Sequence, residues 1–179
     1  MMDQIEYLYF IPLLIYGIAL SDIFSEYKRL LHANSHYWPY IILIFILSET
    51  AVYNVYTLYN LHKNLETNNY LQYWIFLGPP IIFMLAVNSI VLKDDATNKE
   101  KLEKHFKERV SNTYLLMALY IASHLIPLMS AGTTIDNLVR IFFILVILLN
   151  VFSKKDWAFY FLVGLYFIGL ILKFNKFIL

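Results

Sequence analysis

The stretch Tyr37-Trp-Pro-Tyr-Ile-Ile-Leu-Ile-Phe-Ile-Leu-Ser-Glu-Thr-Ala-Val-Tyr-Asn-Val-Tyr-Thr-Leu-Tyr59 decides the fold. Glu49 is its only charged residue, and a helix of about 20 predominantly apolar residues crosses the roughly 30 Å hydrocarbon core of a bilayer. Beside this segment at 37–59, five others approach or meet that length, at 7–25, 71–92, 114–130, 137–152 and 157–174. The fifth of the six is short and carries Arg140. Composition agrees: the 179 residues are 60% hydrophobic and 15% charged, against about 45–50% and about 25% in ordinary soluble domains. The predicted fold is all-α, a polytopic transmembrane bundle of six helices in a single domain over 1–179.

The first segment reads as a membrane helix rather than a removable signal. Asp3 and Glu6 precede it, no basic residue does, and no small-x-small cleavage site follows. Beyond Ser25 the leucine spacing of Ser25-Glu-Tyr-Lys-Arg-Leu-Leu-His32 continues without a breaker, so the helix should run on before Asn34 and Pro39. Lysine and arginine mark the orientation. Ten of them fall on the side of the first, third and fifth connections and four on the other. The expected location is the cell membrane, multi-pass, with both termini extracytoplasmic, and Tyr37, Trp38, Tyr40 and Trp157 form an aromatic belt at the inner boundary.

The connection at 93–112 divides the chain into two three-helix halves. Halves with an odd number of helices can be related only as an inverted repeat, a construction common in transporters. The connection itself reads as a short cytoplasmic amphipathic helix. Thr97-Asn-Lys-Glu100 has the pattern of a capping box, and Leu102, Phe106 and Val110 form a narrow apolar stripe. Its simplest expected role is a solvated connector, with docking of a cytoplasmic protein or of lipid headgroups as the alternative.

Polar residues within apolar segments carry the functional reading, because a charge at the bilayer centre costs about 2.5–3.5 kcal/mol on insertion scales. Glu49 stands near the middle of the second segment, and helical spacing sets Tyr53, Tyr56 and Asn60 on its face. His124 lies at comparable depth in the fourth segment, one turn after Tyr120 and just before Pro127, and is its expected counterpart. Gly78-Pro79-Pro80 removes two backbone donors from the third helix and is expected to kink or break it, and Asn88 follows on the same helix. Asp22, Ser25, Glu26 and Arg29 form an acidic lip at the inner end of the first helix, where two carboxylates on one face need a cation, a proton or a basic partner. Asp136 and Arg140 are spaced for a local ion pair.

Other chemistry finds little support. His32 and His36 have a spacing that suits a metal only if the helix persists and a carboxylate joins them, so no metal and no cofactor is expected. The chain has no cysteine, which excludes disulfides and thiolate ligands. A net charge of +1 argues against nucleic acid as a partner. No phosphate-binding loop, dinucleotide fingerprint, nucleophile elbow or zinc-protease helix occurs.

Gly17-Ile-Ala-Leu-Ser-Asp22, then Arg29-Leu-Leu31, then Trp38-Pro39 at the head of the next helix, with His105-Phe106 and Arg109 further on, resembles small multi-pass membrane proteins of bacteria. The resemblance spans the first two helices and the surroundings of the central connection. It implies the six-helix architecture and carries no activity with it. The functional expectation is therefore a path for a proton, a cation or a small solute lined by Glu49, Tyr53, Tyr56, Asn60, Asn88 and His124, in a chain that associates with the lipid bilayer and with copies of itself. The alternatives are a non-enzymatic membrane subunit or effector acting through a partner at 93–112 or by perturbing the membrane, and an intramembrane enzyme.

Overall fold

In the computed structural model the described residues are 4–31, 36–61, 70–92, 99–125, 135–153 and 156–178, with side chains placed over 10–31, 36–58, 70–92, 99–125, 137–153 and 156–171. They form six α-helices: α1 Gln4–Leu31, α2 Trp38–Leu61, α3 Tyr70–Ile90, α4 Lys99–Ser123, α5 Ile135–Ser153 and α6 Asp156–Ile178. Three contain stretches long and apolar enough to cross a membrane, at Phe10–Leu31, Trp38–Leu58 and Tyr70–Ile90. Shorter apolar stretches occupy Asn137–Ser153 and Asp156–Ile171.

Helical periodicity explains how the bundle closes. On α1 the buried positions are Pro12, Tyr16, Ala19, Ile23, Glu26 and Leu30, and on α2 Tyr40, Ile44, Leu47, Ala51, Asn54 and Leu58 form the central row, with Leu43 and Ile46 buried beside it. Both series step by four and three residues in alternation, the seam of helices packed at a shallow angle. α3 adds Phe83, Val87 and Ile90 to the same core, and α4 adds Leu102, Phe106, Tyr114 and Ala118. The widest packing joins α3 to α4, α4 to α5 and α1 to α3, and α6 lies at the periphery against α5. The hydrogen bond of His105 to the Ile90 carbonyl places the end of α3 beside the first turns of α4, and Tyr40 in the first turn of α2 comes within 3.3 Å of the same carbonyl.

α4 departs from expectation. The stretch read as a separate loop helix and the stretch read as the fourth span are one continuous helix of 25 residues. The stripe is the cause. Leu102 and Phe106 are buried rather than solvated, and the Phe106 ring meets Tyr37 at 5.5 Å and Phe159 at 5.8 Å. No helix-breaking residue separates Lys99 from Ser123, so a helix held at its charged end by this packing continues into its apolar half. The exposed face of that first half keeps Glu103 and Lys107 paired at 2.6 Å. Their mutual attraction lowers the carboxyl pKa and raises the amine pKa, as expected of a solvated pair on a helix surface. The capping residues Thr97 and Asn98 lie outside the described residues.

α3 also differs. It runs from Tyr70 to Ile90 unbroken through Gly78-Pro79-Pro80. Pro80 is buried, and a Cβ at Gly78 would meet nothing within 4 Å. Neighbouring helices enclose Pro80, in keeping with the tolerance of membrane-type helices for internal proline.

Outside the core each helix also exposes large apolar side chains. Phe24 is 60% exposed, Val52 57%, Leu115 55%, Leu149 59% and Ile168 57%. A soluble monomer rarely exposes such contiguous area. Because Phe106 fills a core position, Phe106→Ala is expected to destabilise the bundle by about 3–5 kcal/mol, whereas Lys101→Ala on the exposed face should change stability by less than about 0.5 kcal/mol. Denaturant unfolding in detergent micelles checks both, and equal effects would show that the stripe is not core.

Candidate functional site

Glu26 occupies a position on the α1 seam where every other member is apolar, and it is completely buried. A carboxylate there must be hydrogen-bonded or paired. Arg29 Nη1 donates to its Oε1 at 2.8 Å, the Leu92 backbone N–H donates to the same oxygen at 3.2 Å, and the Tyr40 hydroxyl donates to Oε2 at 2.8 Å. Tyr40 is fully buried on the α2 seam, which directs its hydroxyl inward. The Arg29 guanidinium is held in turn by the Leu92 carbonyl at 2.6 Å. Glu26 and Arg29 thus clamp one residue, taking its N–H and its C=O, just beyond the last residue of α3.

The end of α3 supplies the remaining partners. Carbonyls in the last turn of a helix have no partner within it, and Ile90 O accepts from His105 Nε2 at 2.7 Å. The carbonyl is an acceptor only, so His105 carries its proton on Nε2. Tyr40 Oη also approaches Ile90 O at 3.3 Å. A phenol has one proton, and the shorter contact assigns it to Glu26. The His105 ring stands edge-on to the Tyr40 ring at 6.3 Å. Four helices therefore meet at one helix end through Glu26, Arg29, Tyr40 and His105. Next to Ile90, Ser89 shares a hydrogen bond of 2.8 Å with Thr113 between α3 and α4.

In front of this network opens a cleft of about 340 Å³, lined by Asp22, Ser25, Glu26, Arg29, Asn88, Val91 and Leu92. Asp22, Ser25, Glu26 and Arg29, expected as an acidic lip, are brought together along this cleft. Glu26 is a buried floor rather than an exposed edge, and Asp22 half-exposed above it completes the acidic side. Two carboxylates stand against one guanidinium, leaving the cleft with a formal charge of −1. No ion pair engages Asp22 among the described residues. Asn88, expected beside the mid-membrane residues, is instead an exposed amide on the rim of this cleft.

Glu49 lies elsewhere. It is nine positions after Tyr40, which puts it roughly 180° around the helix from the core seam. Its carboxylate accepts a hydrogen bond from the Tyr166 hydroxyl of α6, and beside it Phe45 and Phe167 stack at 6.3 Å. Tyr53 is half-buried and Tyr56 is 55% exposed, while the Asn60 side chain lies outside the described residues. His124 keeps different company. Its Nδ1 is 3.0 Å from Tyr120 O, its ring stands 4.7 Å from the Tyr120 ring, and its carbonyl accepts from Arg140 Nη1 at 3.3 Å. Neither Glu49 nor His124 lines the cleft, and the bonded partners of one are not those of the other.

Three predicted partners cannot be placed, because His32, Pro127 and the Asp136 side chain lie outside the described residues. His36 is exposed and edge-on to Trp38 at 6.4 Å. The core holds a further polar group at Tyr16, Asn54 and Tyr120, whose side chains hydrogen-bond one another beside Phe83.

Tyr40 and His105 are the members of the network that sequence reasoning missed as site residues. Tyr40 was assigned to an interfacial belt, and His105 lay within the supposed loop. The available signal was the seam itself, which runs in register through Glu26 on α1 and Tyr40 on α2.

Comparison with known proteins returns no matching family model, no matching curated protein and no matching solved structure.

Two outcomes follow from the geometry. Glu26→Ala leaves Arg29 and Tyr40 facing inward without their acceptor, and breaking one partner out of a buried pair costs about 3–5 kcal/mol; Tyr40→Phe should cost about 1–3 kcal/mol through the hydrogen bond alone. Melting temperatures of the purified variants rank them, and a neutral Glu26→Ala would show the network to be solvated. The cysteine-free background allows a second check. Cysteines replacing Glu49 and Tyr166 should be joined by a short bifunctional maleimide that spans the two side chains they replace, and cysteines replacing Glu49 and His124 should not.

Proposed function

We propose that the chain is an integral membrane protein, a multi-pass helical bundle, that takes up a cation in the cleft in front of Glu26 and carries it across the bilayer. The cation is a proton or a small positively charged solute. A single observation carries this reading: a completely buried carboxylate forms the floor of an open cleft whose side chains sum to one negative charge. Intramembrane carboxylates that face a cavity mark ion and proton routes far more often than they serve packing. The apolar surface on all six helices supports the bilayer as solvent, and the lysines and arginines around this end of the bundle support its placement in the cytoplasm.

The interior favours a carrier over an open pore. Ile23, Ile44, Leu47, Phe83 and Val87 are completely buried between the cleft and the Tyr16, Asn54 and Tyr120 group. Ten residues separate Tyr16 from Glu26 on α1, about 15 Å along a helix. A solute leaving the cleft has to pass that apolar layer, so passage needs a rearrangement of α1 against α3 and ends near His124 and Arg140. Glu49, Tyr53 and Tyr56 on the outer face of α2 lie apart from this cleft. A path along that face would form between copies of the chain, with Val52 and Tyr56, 57% and 55% exposed, supplying the surface for such association.

Reconstitution into liposomes tests the proposal, with proton, sodium, potassium and small organic amines offered in turn. Asp22→Asn and Glu26→Gln are expected to slow uptake on the order of tenfold, equivalent to about 1.4 kcal/mol, while Glu49→Gln leaves it nearly unchanged. Absence of flux for every cation, or unaltered flux in both cleft variants, overturns the reading. Loss of flux in Glu49→Gln alone would transfer the route to the interchain face.

A further inference from the structure

The outer face of α2 carries a second seam. Trp38, Ile42, Phe45, Glu49, Val52 and Tyr56 step by four and three residues in alternation, as the buried row of the same helix does, and they fall within about 80° of arc on the opposite side. Trp38 is 63% exposed, Phe45 45%, Val52 57% and Tyr56 55%, and Ile42 and Glu49 are half-buried. An apolar stripe that keeps this alternation along the whole of a helix is the pattern by which one helix packs on another of the same kind.

Lipid tails satisfy the apolar members of the seam but not Glu49. It stands midway between Trp38 and Leu58, the ends of the apolar stretch of α2, and a carboxyl at that depth is costly unless it is paired or turned to the interior. α6 meets the need in part, because the Tyr166 hydroxyl donates to Oε2. A carboxyl group has a second oxygen and, when protonated, a donor of its own. Among the described residues no hydrogen bond or ion pair engages Oε1. The neighbouring hydroxyls do not supply one, since Ser48 and Thr50 donate to carbonyls of their own helix, at 2.9 and 2.7 Å.

Polar complementarity names the occupant of this face. Whatever covers Glu49 has to bring a donor or an acceptor to mid-bilayer depth in the centre of an apolar stripe. Copies of one chain insert with one orientation, so two α2 helices related by a two-fold axis along the membrane normal run parallel with like positions level. Glu49 of one copy then meets the partner's Glu49, with Phe45 and Val52 closing the layers on either side. A single polar layer of this kind fixes the register of a parallel helix pair.

We propose that the chain forms a parallel homodimer through the outer seam of α2, held in register by a hydrogen bond between the two Glu49 carboxyls, a protonated one donating to the one opposite. The inference rests on the membrane placement proposed above and gives the contact between copies its residues and symmetry. It does not depend on transport through the cleft.

The cysteine-free chain provides the test. Val52→Cys protein in liposomes, treated with a short bifunctional maleimide, should give a covalent dimer, and Leu149→Cys on α5, similarly exposed at 59%, should not. Energy transfer between copies labelled at Lys101→Cys, on the exposed face of α4, measures association as the protein is diluted in lipid. Glu49→Leu should lower the association constant about tenfold, equivalent to about 1.4 kcal/mol. Glu49→Gln, whose amide still donates and accepts, should leave it nearly unchanged, and so should Tyr166→Phe, which removes only the bond within the chain. Protein that stays monomeric, cross-links as readily at Leu149→Cys as at Val52→Cys, associates as well with Glu49→Leu, or loses association equally with Tyr166→Phe, overturns the dimer. Flotation with the vesicles is scored first: protein that does not insert refutes the membrane placement itself, whereas inserted monomer refutes the dimer alone and leaves the cleft proposal standing.

Discussion

A carboxylate removed from water without partners costs several kcal/mol, and at Glu26 the fold meets that constraint by bringing four helices to one point. Arg29 supplies charge from one turn along the same helix. Tyr40 arrives from α2, and Leu92 and Ile90 present the end of α3. His105 of α4 closes the remaining carbonyl. Apart from the Arg29–Glu26 pair within α1, these bonds join separate helices: Glu26 and Leu92 are separated by 66 residues, Glu26 and Tyr40 by 14, and His105 and Ile90 by 15. The network therefore sets the register of α1, α2, α3 and α4 at this end, where apolar packing alone permits sliding.

That register determines what the rest of the bundle can do. With α3 ending level with His105, the first turn of α4 extends beyond it, and Lys99, Glu103 and Lys107 line a cavity with Trp38 and with Asp156 at the start of α6. With Glu26 drawn inward, Asp22 one turn earlier faces the cleft above it. Both cavities lie at the lysine-rich end, while the middle of the bundle is sealed by apolar side chains and by the small Tyr16, Asn54 and Tyr120 group. Polar chemistry is thus concentrated where helices end and backbone groups need partners, in keeping with the rule that orphan carbonyls and donors gather at helix termini.

Much of the helical pattern was legible from residues alone. The six apolar segments mark α1, α2, α3, α5 and α6 and the second half of α4, because a run of apolar residues of that length with few charges has few alternatives to helix. Asp22, Glu26 and Arg29 were legible as one group, since their spacing places them on one face. Less visible was the depth of each. Glu49 drew notice because it sits at the centre of its segment, yet position along a helix says nothing about rotation around it, and Glu49 faces away from the seam towards Tyr166. Glu26 looked peripheral because it sits near a helix end, yet its rotation turns it inward. The Leu102, Phe106 and Val110 stripe was read correctly as apolar, but whether such a stripe meets solvent, lipid or Tyr37 and Phe159 depends on residues far away in the chain.

The amino-acid sequence by itself determined an all-helical chain rich in membrane-length apolar segments, with its positive charge gathered on one set of connections. Those properties are local sums of hydropathy, propensity and charge. Only the tertiary structure decided that α4 is one rod from Lys99 to Ser123, that α3 continues through two prolines, and that Glu26 rather than Glu49 is the carboxylate enclosed by the core. The reason is physical: a hydrogen bond to a buried charge is made at about 3 Å, and which groups come within that distance is settled by how separate helices rotate and slide against one another.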